Sequence, residues 1–239
     1  LGGVTLLAIP FFVLAGEIMN AGGVTARIFG FASLLVGHIR GGLAHVNVLS
    51  SLFFAGISGS AVADTAGLGR IEIKAMTEAG YSRAFSAAVT AASSCIGPII
   101  PPSILMVLYG SMSDISIPAL FLGGLVPGLM LGLFMMVYVY FAAGREGVEP
   151  APRARFGEIA RSFVKNAPPL ATPFVILAGL VFGVVTPTEA GVVAVAYAAV
   201  VSMLYGDMNW SNIGAMLEEA LITTTQIMFI LGLSSLFGW

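Results

Sequence analysis

The sequence predicts an all-α polytopic membrane protein. Of its 239 residues, 58% are hydrophobic and only 9% are charged, whereas soluble domains usually carry about 25% charged residues. The mean hydropathy is +0.99. A bilayer interior accepts only helices and closed barrels, because the backbone polar groups must be satisfied within the protein. Apolar runs such as 117–142 and 168–185 are close to the roughly 20 residues of a spanning helix, and they lack the alternation of barrel strands.

Charge and cysteine content exclude several functions. The net charge of −2 gives no basic footprint for nucleic acid, so no nucleic-acid partner is expected. Cys95 is the only cysteine, which excludes an internal disulfide and a thiolate metal site. The chain begins at Leu1 without a methionine and ends at Trp239 inside an apolar stretch. We therefore expect a fragment of a longer protein.

Sequence breakers and charged residues predict the order of the elements. A first helix is expected over 4–19, an amphipathic arm over 22–37, and later helices near 168–185 and 190–205, with a last one from about Asn212. In chain order we predict a first transmembrane helix with an interfacial arm (1–42), a core with a re-entrant hairpin and a broken helix (43–110), a transmembrane helix (111–143), a cytoplasmic linker (144–166) and a further set of apolar helices (167–239).

Positive charge predicts which side of the membrane each connection faces. The linker 144–166 carries five Arg and Lys residues and should be cytoplasmic, whereas the loop around Asp114 carries none and should lie outside. Positive residues flank 43–69 on both sides, at Arg40 and Arg70, so this segment should enter and leave on one face. We predict a re-entrant helical hairpin. A tight pair of full spans is the alternative, but each arm is short for roughly 30 Å of hydrocarbon.

The predicted tip of this hairpin carries a polar glycine-rich motif. Gly56 and Gly59 allow a turn with positive φ and a close backbone approach. Ser58 and Ser60 add hydroxyl groups, and Ser60 is well placed to cap the second arm. Asp64 lies four residues later, on the same helical face as Ser60. An acid in a membrane segment is costly and indicates a functional site.

A second interruption lies between residues 93 and 103. Its three prolines remove amide donors and should leave upstream carbonyls without helical partners. We expect two half-helices joined by an unwound strand, with carbonyls that bind a cation such as Na⁺ and a half-helix N-terminus that attracts an anion. Paired broken elements of this kind indicate a transporter's binding site. The candidate residues here are Ser93, Ser94, Gly97, Pro98, Pro102 and Ser103.

Alternative interpretations of the same residues remain. Glycine, proline and serine are common in membrane helices and often serve only packing. Residues 186–189 read as a capping box with proline at the first helical position, and Glu17 is expected at the membrane interface. A Gly-x-Ser-Gly motif at 56–59 matches rhomboid-like proteases, but no histidine follows Ser58 to activate it. A channel is disfavoured because no ring of charges or repeated filter sequence is present.

The ordered set of motifs resembles the large membrane subunit of tripartite ATP-independent periplasmic (TRAP) transporters over essentially the whole chain. The similar stretches are 9–17, 37–44, 56–64, 91–94, 96–103 and 186–191. Cys95 stands where threonine is expected. The resemblance implies an inverted-repeat, elevator-type transporter whose first repeat and the start of whose second (167–239) are present here, with 43–110 as the transport-domain core.

The resemblance also implies a function and partners. It implies import of a small organic anion, such as a C4-dicarboxylate, sialic acid or another sugar acid or 2-oxo acid, driven by a Na⁺ gradient across the bacterial or archaeal inner membrane. A periplasmic binding protein would deliver the substrate, and a small membrane subunit would complete the assembly. Ser58, Ser60 and Gly97 would lie near Na⁺, with no cofactor and no enzymatic activity. A stand-alone Na⁺- or H⁺-coupled symporter without a binding protein is the alternative.

Overall fold

The computed structural model describes residues 4–205 and 213–237. These residues form α-helices and two short 3-10 turns, Val4–Leu7 and Ala143–Arg145, without a β-strand. The helices are α1 (Ala8–Ala21), α2 (Val24–Val36), α3 (Gly42–Ser58), α4 (Ala61–Glu78), α5 (Arg83–Ser94), α6 (Ile104–Ser113), α7 (Ile117–Ala142), α8 (Phe156–Val181), α9 (Pro187–Tyr205) and α10 (Ile213–Phe237).

Within the described residues, α7, α8, α9 and α10 are long and apolar enough to cross a membrane, and the bent pair α1–α2 would add a fifth span. Helix α7 carries large apolar side chains on its outer surface, with Leu133 59% and Phe134 60% exposed. Such exposure suits contact with lipid rather than water. The prediction of an all-α polytopic membrane protein is confirmed.

Helices α1 and α2 meet at a glycine pair. Gly23 has a φ of 70°, which glycine adopts without a steric penalty, and α2 leaves α1 at an angle of 70°. The predicted first helix and arm are therefore separate helices, each within a few residues of its expected bounds. The position of the arm at the membrane interface stays a prediction.

Helix α1 packs most closely on α9. The α9 face toward α1 is made of small residues, and a β-carbon added to Gly191 would lie 2.8 Å from the Phe11 β-carbon. The Ser202 hydroxyl donates to the Ile18 carbonyl at 3.2 Å. Small residues let membrane helices approach closely and gain van der Waals contact. The predicted capping box at the start of α9 is confirmed, since the Thr186 amide donates to the Glu189 carboxylate at 2.7 Å.

Helices α3 and α4 form an antiparallel hairpin that turns at Gly59 and Ser60. Gly59 has a φ of 59° and ends α3, and Ser60 is extended. The hairpin is as predicted, but its break is shorter, because Gly56 and Ser58 remain in the α3 helix. The polar residues that follow Arg70 continue the second arm as helix, since α4 extends to Glu78. Whether the hairpin is re-entrant stays a prediction.

The second predicted break is present, but it is not an extended strand. Helix α5 ends at Ser94 and α6 begins at Ile104, and the intervening residues form successive turns. The amides of Ile96 and Gly97 donate to the carbonyls of Ser93 and Ser94, both at 3.0 Å. The expectation of free carbonyls at the end of α5 was therefore wrong for Ser93 and Ser94.

Helix α8 begins earlier than predicted. It starts at Phe156, inside the segment 144–166 predicted as a linker, and it ends at Val181 rather than near residue 185. The Glu158 carboxylate accepts a hydrogen bond from the Arg155 amide at 2.8 Å, which satisfies an otherwise free donor at the helix start. Charge marked this stretch as a connection, but charged residues near a membrane surface also extend a spanning helix.

Candidate functional site

The hairpin tip, Ser58 to Ser60, packs directly against the break at 95–103. The amide of Ile104 donates to the Gly59 carbonyl at 3.4 Å. A β-carbon added to Gly97 would lie 3.1 Å from the Ser60 carbonyl carbon, closer than the usual carbon–carbon contact of about 3.5–4.0 Å. A β-carbon on Gly59 would overlap the Pro102 carbonyl oxygen. These glycines let two backbone turns touch, and we call this contact the tip junction.

Four helix ends converge at the tip junction. Helices α3 and α5 end there, at Ser58 and Ser94, and α4 and α6 begin there, at Ala61 and Ile104. Helix N-termini carry partial positive charge and C-termini partial negative charge. The junction therefore presents both signs of partial charge without using a formally charged side chain.

Two serines cap the helices that begin at the junction. The Ser60 hydroxyl accepts a hydrogen bond from the Ala63 amide at 3.3 Å, as predicted. The Ser103 hydroxyl accepts from the Met106 amide at 3.2 Å and donates to the Pro98 carbonyl at 2.6 Å. These bonds fix both helix starts, and one of them uses the carbonyl of the candidate residue Pro98.

Ser58 differs from these serines because its hydroxyl has no partner. The side chain is 2% exposed, and its oxygen makes no hydrogen bond in the structure. Buried polar groups are normally paired, so this oxygen suggests a ligand site. A cavity of about 50 Å³ lies beside the tip, and its wall includes Ser58, Ser60, Glu17 and Glu219.

Gly56 plays a different part from the one predicted. It lies within α3, and a β-carbon there would come within 2.7 Å of the Pro173 side chain on α8. It therefore allows α3 and α8 to approach rather than shaping the tip. Beside it lies a cavity of about 610 Å³, walled almost entirely by apolar residues such as Phe53 and Leu177. This cavity has little polar surface to hold an anion.

Asp64, Ser93 and Ser94 belong to a buried polar network next to the tip junction. The Ser51 hydroxyl donates to the Asp64 carboxylate at 2.9 Å and lies 3.1 Å from the Ser93 hydroxyl. Ser93 in turn donates to the Asn47 side-chain carbonyl at 2.7 Å, and the Asn47 amide donates to the Thr90 hydroxyl at 2.6 Å. The network joins α3, α4 and α5 behind the tip. Ser94 donates to the Thr90 carbonyl at 2.8 Å.

Sequence reasoning missed several of these residues. Asn47 and Ser51 lie four residues apart on α3, so they share one helical face, and that spacing could have indicated a polar stripe toward α5. Glu17, whose position at the membrane interface stays a prediction, lines the cavity beside the tip with Glu219. Only the folded position of α1 and α10 brings these two acids together.

Residues 1–239 match the protein-family model of the DctM component of the tripartite ATP-independent periplasmic transporters. The chain belongs to the DctM family. The family is that of a transporter component rather than of an enzyme, and with its apolar helices the chain is a multi-pass protein of the inner membrane.

Several curated proteins are similar to this DctM chain over nearly its full length. It is 44% identical to the sialic acid TRAP transporter large permease protein of Vibrio cholerae, covering 100% of this chain and 57% of that protein. It is 43% identical to the C4-dicarboxylate TRAP transporter large permease protein of Pseudomonas aeruginosa (98% and 55% covered). It is 42% identical to the 2,3-diketo-L-gulonate TRAP transporter large permease protein of Escherichia coli (98% and 56%). The chain thus spans a little over half the length of these relatives.

Proposed function

We propose that the permease containing this chain imports a small organic anion by secondary active transport driven by a Na⁺ gradient. A periplasmic binding protein delivers the substrate, and a small membrane subunit completes the assembly. The relatives named for sialic acid, a C4-dicarboxylate and 2,3-diketo-L-gulonate favour a carboxylate as the substrate.

The convergence of four helix ends at the tip junction is the main support for this function. Helix N-termini attract anions, and unwound backbone with helix C-termini suits small cations. The junction supplies both, since α4 and α6 begin where α3 and α5 end. A substrate carboxylate would bind beside the starts of α4 and α6, where Ser60 and Ser103 already hold the first turns in place.

Sodium would bind on the opposite side of the same turn. The Ser58 hydroxyl is a buried oxygen without a partner. The Ser60 carbonyl lies against Gly97 and accepts one hydrogen bond, from the Asp64 amide at 3.1 Å, which leaves its second lone pair for a cation. Hydroxyl and carbonyl oxygens are suitable ligands for a hard cation. Sodium bound there would order the tip and offset the partial negative charge of the α3 and α5 C-termini, which would assist anion binding.

Asp64 acts as a positioning residue in this proposal. Its carboxylate accepts a hydrogen bond from Ser51 on the opposite arm of the hairpin, so it links the two arms close to the tip. Direct binding of the ion and coupling to H⁺ are the other roles for this acid. The Asp64→Asn variant separates a positioning role from H⁺ coupling. A positioning role predicts weaker uptake with Na⁺ still required, whereas H⁺ coupling predicts loss of the dependence on a pH gradient.

The polar network between α3, α4 and α5 supports movement of these helices as one body. We propose that α3 to α6 form the part that slides across the membrane, with α1 and α9 on the stationary side. In this arrangement the loaded tip junction moves together with the Asp64 network.

Uptake by the full-length permease with its small subunit in proteoliposomes tests the function. A panel of labelled carboxylates is supplied under an inward Na⁺ gradient, with and without the binding protein encoded beside the permease. Uptake that needs the binding protein supports the tripartite assembly and identifies the substrate. Equal uptake without it would assign the chain to the stand-alone symporters, and no saturable uphill accumulation under either condition would refute secondary transport.

A further inference from the structure

Glu72 lies in the middle of α4 and is completely buried. Its exposed fraction is 0%, and neither carboxyl oxygen has a hydrogen-bond partner. An ionised carboxylate in such surroundings is strongly unfavourable, because burial removes water and nothing replaces it. The same side chain as a neutral acid carries a much smaller penalty.

The position of Glu72 places it beside the Asp64 network. It lies about one turn from Gly69, where an added β-carbon would contact the Thr90 side chain at 2.8 Å. It also lies about one turn from Met76, whose sulfur is 3.7 Å from the Asn47 amide. Glu72 is therefore part of the surface that α4 presents to α3 and α5.

Asp64 is the charged group that acts on Glu72 from the same helix. The two acids are separated by eight residues, or about 12 Å along the helix axis. An ionised Asp64 would disfavour a second negative charge on Glu72, in the same direction as burial.

The other charged groups on α4 and on the helices packed against it are directed elsewhere. Among the described residues, none of them pairs with Glu72. On α4 itself, Arg70 is exposed, and Lys74 and Glu78 face each other at 3.9 Å on the exposed surface. On α5 and α3, Arg83 is exposed and His45 lies 3.2 Å from the Gly41 carbonyl. On α2 and α1, Arg27 lies over the Tyr205 ring and Glu17 lines the tip cavity.

We propose that Glu72 is a proton-binding site in the transporter core. Its carboxyl group holds one proton, and the neutral acid is the form in which α3, α4 and α5 pack together. The part of this inference that concerns uptake rests on the proposed transport function, whereas the part that concerns packing does not.

A proton held by Glu72 makes the stability of the folded chain depend on pH. In the unfolded chain Glu72 ionises like an ordinary glutamate, whereas in the folded chain it keeps its proton. The folded state therefore binds more protons, and stability falls as pH rises above the ordinary range of a glutamate. The folding equilibrium constant falls by about tenfold per pH unit until Glu72 ionises in the folded state as well.

Thermal unfolding of the full-length permease in detergent tests the site without measuring transport. Wild type, Glu72→Gln and Glu72→Met are compared from about pH 5 to about pH 9, with Glu78→Gln as the matched control on the exposed side of α4. The two Glu72 variants should lose the fall in Tm with pH that the wild type and the control show. Parallel pH profiles in all four proteins would overturn the proposal.

Uptake supplies the second test. Glu72→Gln, a neutral isostere of the protonated acid, should transport within about twofold of the wild type at every pH at which the wild type stays folded. If Glu72→Gln folds but does not transport while Glu78→Gln does, the carboxylate is needed in its ionised form and the proposal is wrong. Lack of uptake by the wild type would instead refute the proposed function and leave the unfolding result standing.

If neither Glu72 variant folds, infrared spectra of another variant test whether Glu72 is protonated. The Asp64→Asn protein retains Glu72 as the buried acid of α4, and its spectrum near neutral pH should contain the carbonyl band of a buried protonated carboxyl group. Absence of that band would overturn the proposal.

Discussion

Replacing Gly97 by alanine tests the tip junction with a very small change. The added β-carbon would lie 3.1 Å from the Ser60 carbonyl carbon and 3.2 Å from the carbonyl oxygens of both Ser60 and Ser94. All three are backbone atoms that cannot rotate away, so the tip or the break must shift by a few tenths of an ångström. Overpacking of this kind costs typically about 1–3 kcal/mol, which corresponds to roughly 5- to 150-fold in an equilibrium constant.

The assay is Na⁺-driven uptake by the full-length permease, measured as a function of Na⁺ concentration, together with Tm in detergent. Gly97→Ala should lower uptake at subsaturating Na⁺ at least about fivefold, because the tip and the break no longer fit. Gly123→Ala on α7 is the matched control, since its β-carbon would meet no atom within 4 Å. Wild-type uptake and Na⁺ dependence in Gly97→Ala would refute the assignment of this contact as the site.

Three further substitutions test other parts of the structure. Ser58→Ala should raise the Na⁺ concentration for half-maximal uptake about tenfold at nearly unchanged Tm, because its hydroxyl has no protein partner to lose. An unchanged Na⁺ requirement would contradict its role, and Ser33→Ala on α2 is the control. Asn47→Ala should destabilise the protein by about 1–3 kcal/mol, because the Thr90 hydroxyl loses its donor and the Ser93 hydroxyl loses one of its acceptors. Wild-type stability in denaturant would show the network to be unimportant. Gly191→Leu should separate α1 from α9 and lower Tm by several degrees, and an unchanged Tm would disprove close packing there.

Much of the fold could be predicted from the sequence because glycines, prolines and charges mark helix ends directly. Gly23 and Gly59 stand where a left-handed backbone ends one helix and starts the next, and both breaks were found. The start of α8 at Phe156 could not be predicted in this way. Its first turns are polar and resemble a loop in composition, and they become helical because Glu158 caps them and the apolar remainder of the helix extends them.

The candidate site was predictable in its tip and break but not in its interior. Hydroxyl groups near glycines indicated Ser58 and Ser60, and the structure brings Ser60 against Gly97 and Ser58 against Gly16 of α1. The buried acid Glu72 was not identified, because it lies among charged residues such as Arg70 and Lys74, and composition alone does not tell a buried position from an exposed one. Helical periodicity alone places it on the face of Asp64, and the packing of α3 and α5 then decides that this face is buried.

Dependence of uptake on Na⁺ tests whether the tip junction is a sodium site that drives transport. Full-length permease in proteoliposomes, with its small subunit and binding protein, is given its carboxylate substrate with Na⁺ outside or with choline in its place at fixed pH. Uphill accumulation is expected with Na⁺ and should be lost with choline. Equal accumulation with choline would contradict it, because the tip junction would then not be a sodium site that drives transport.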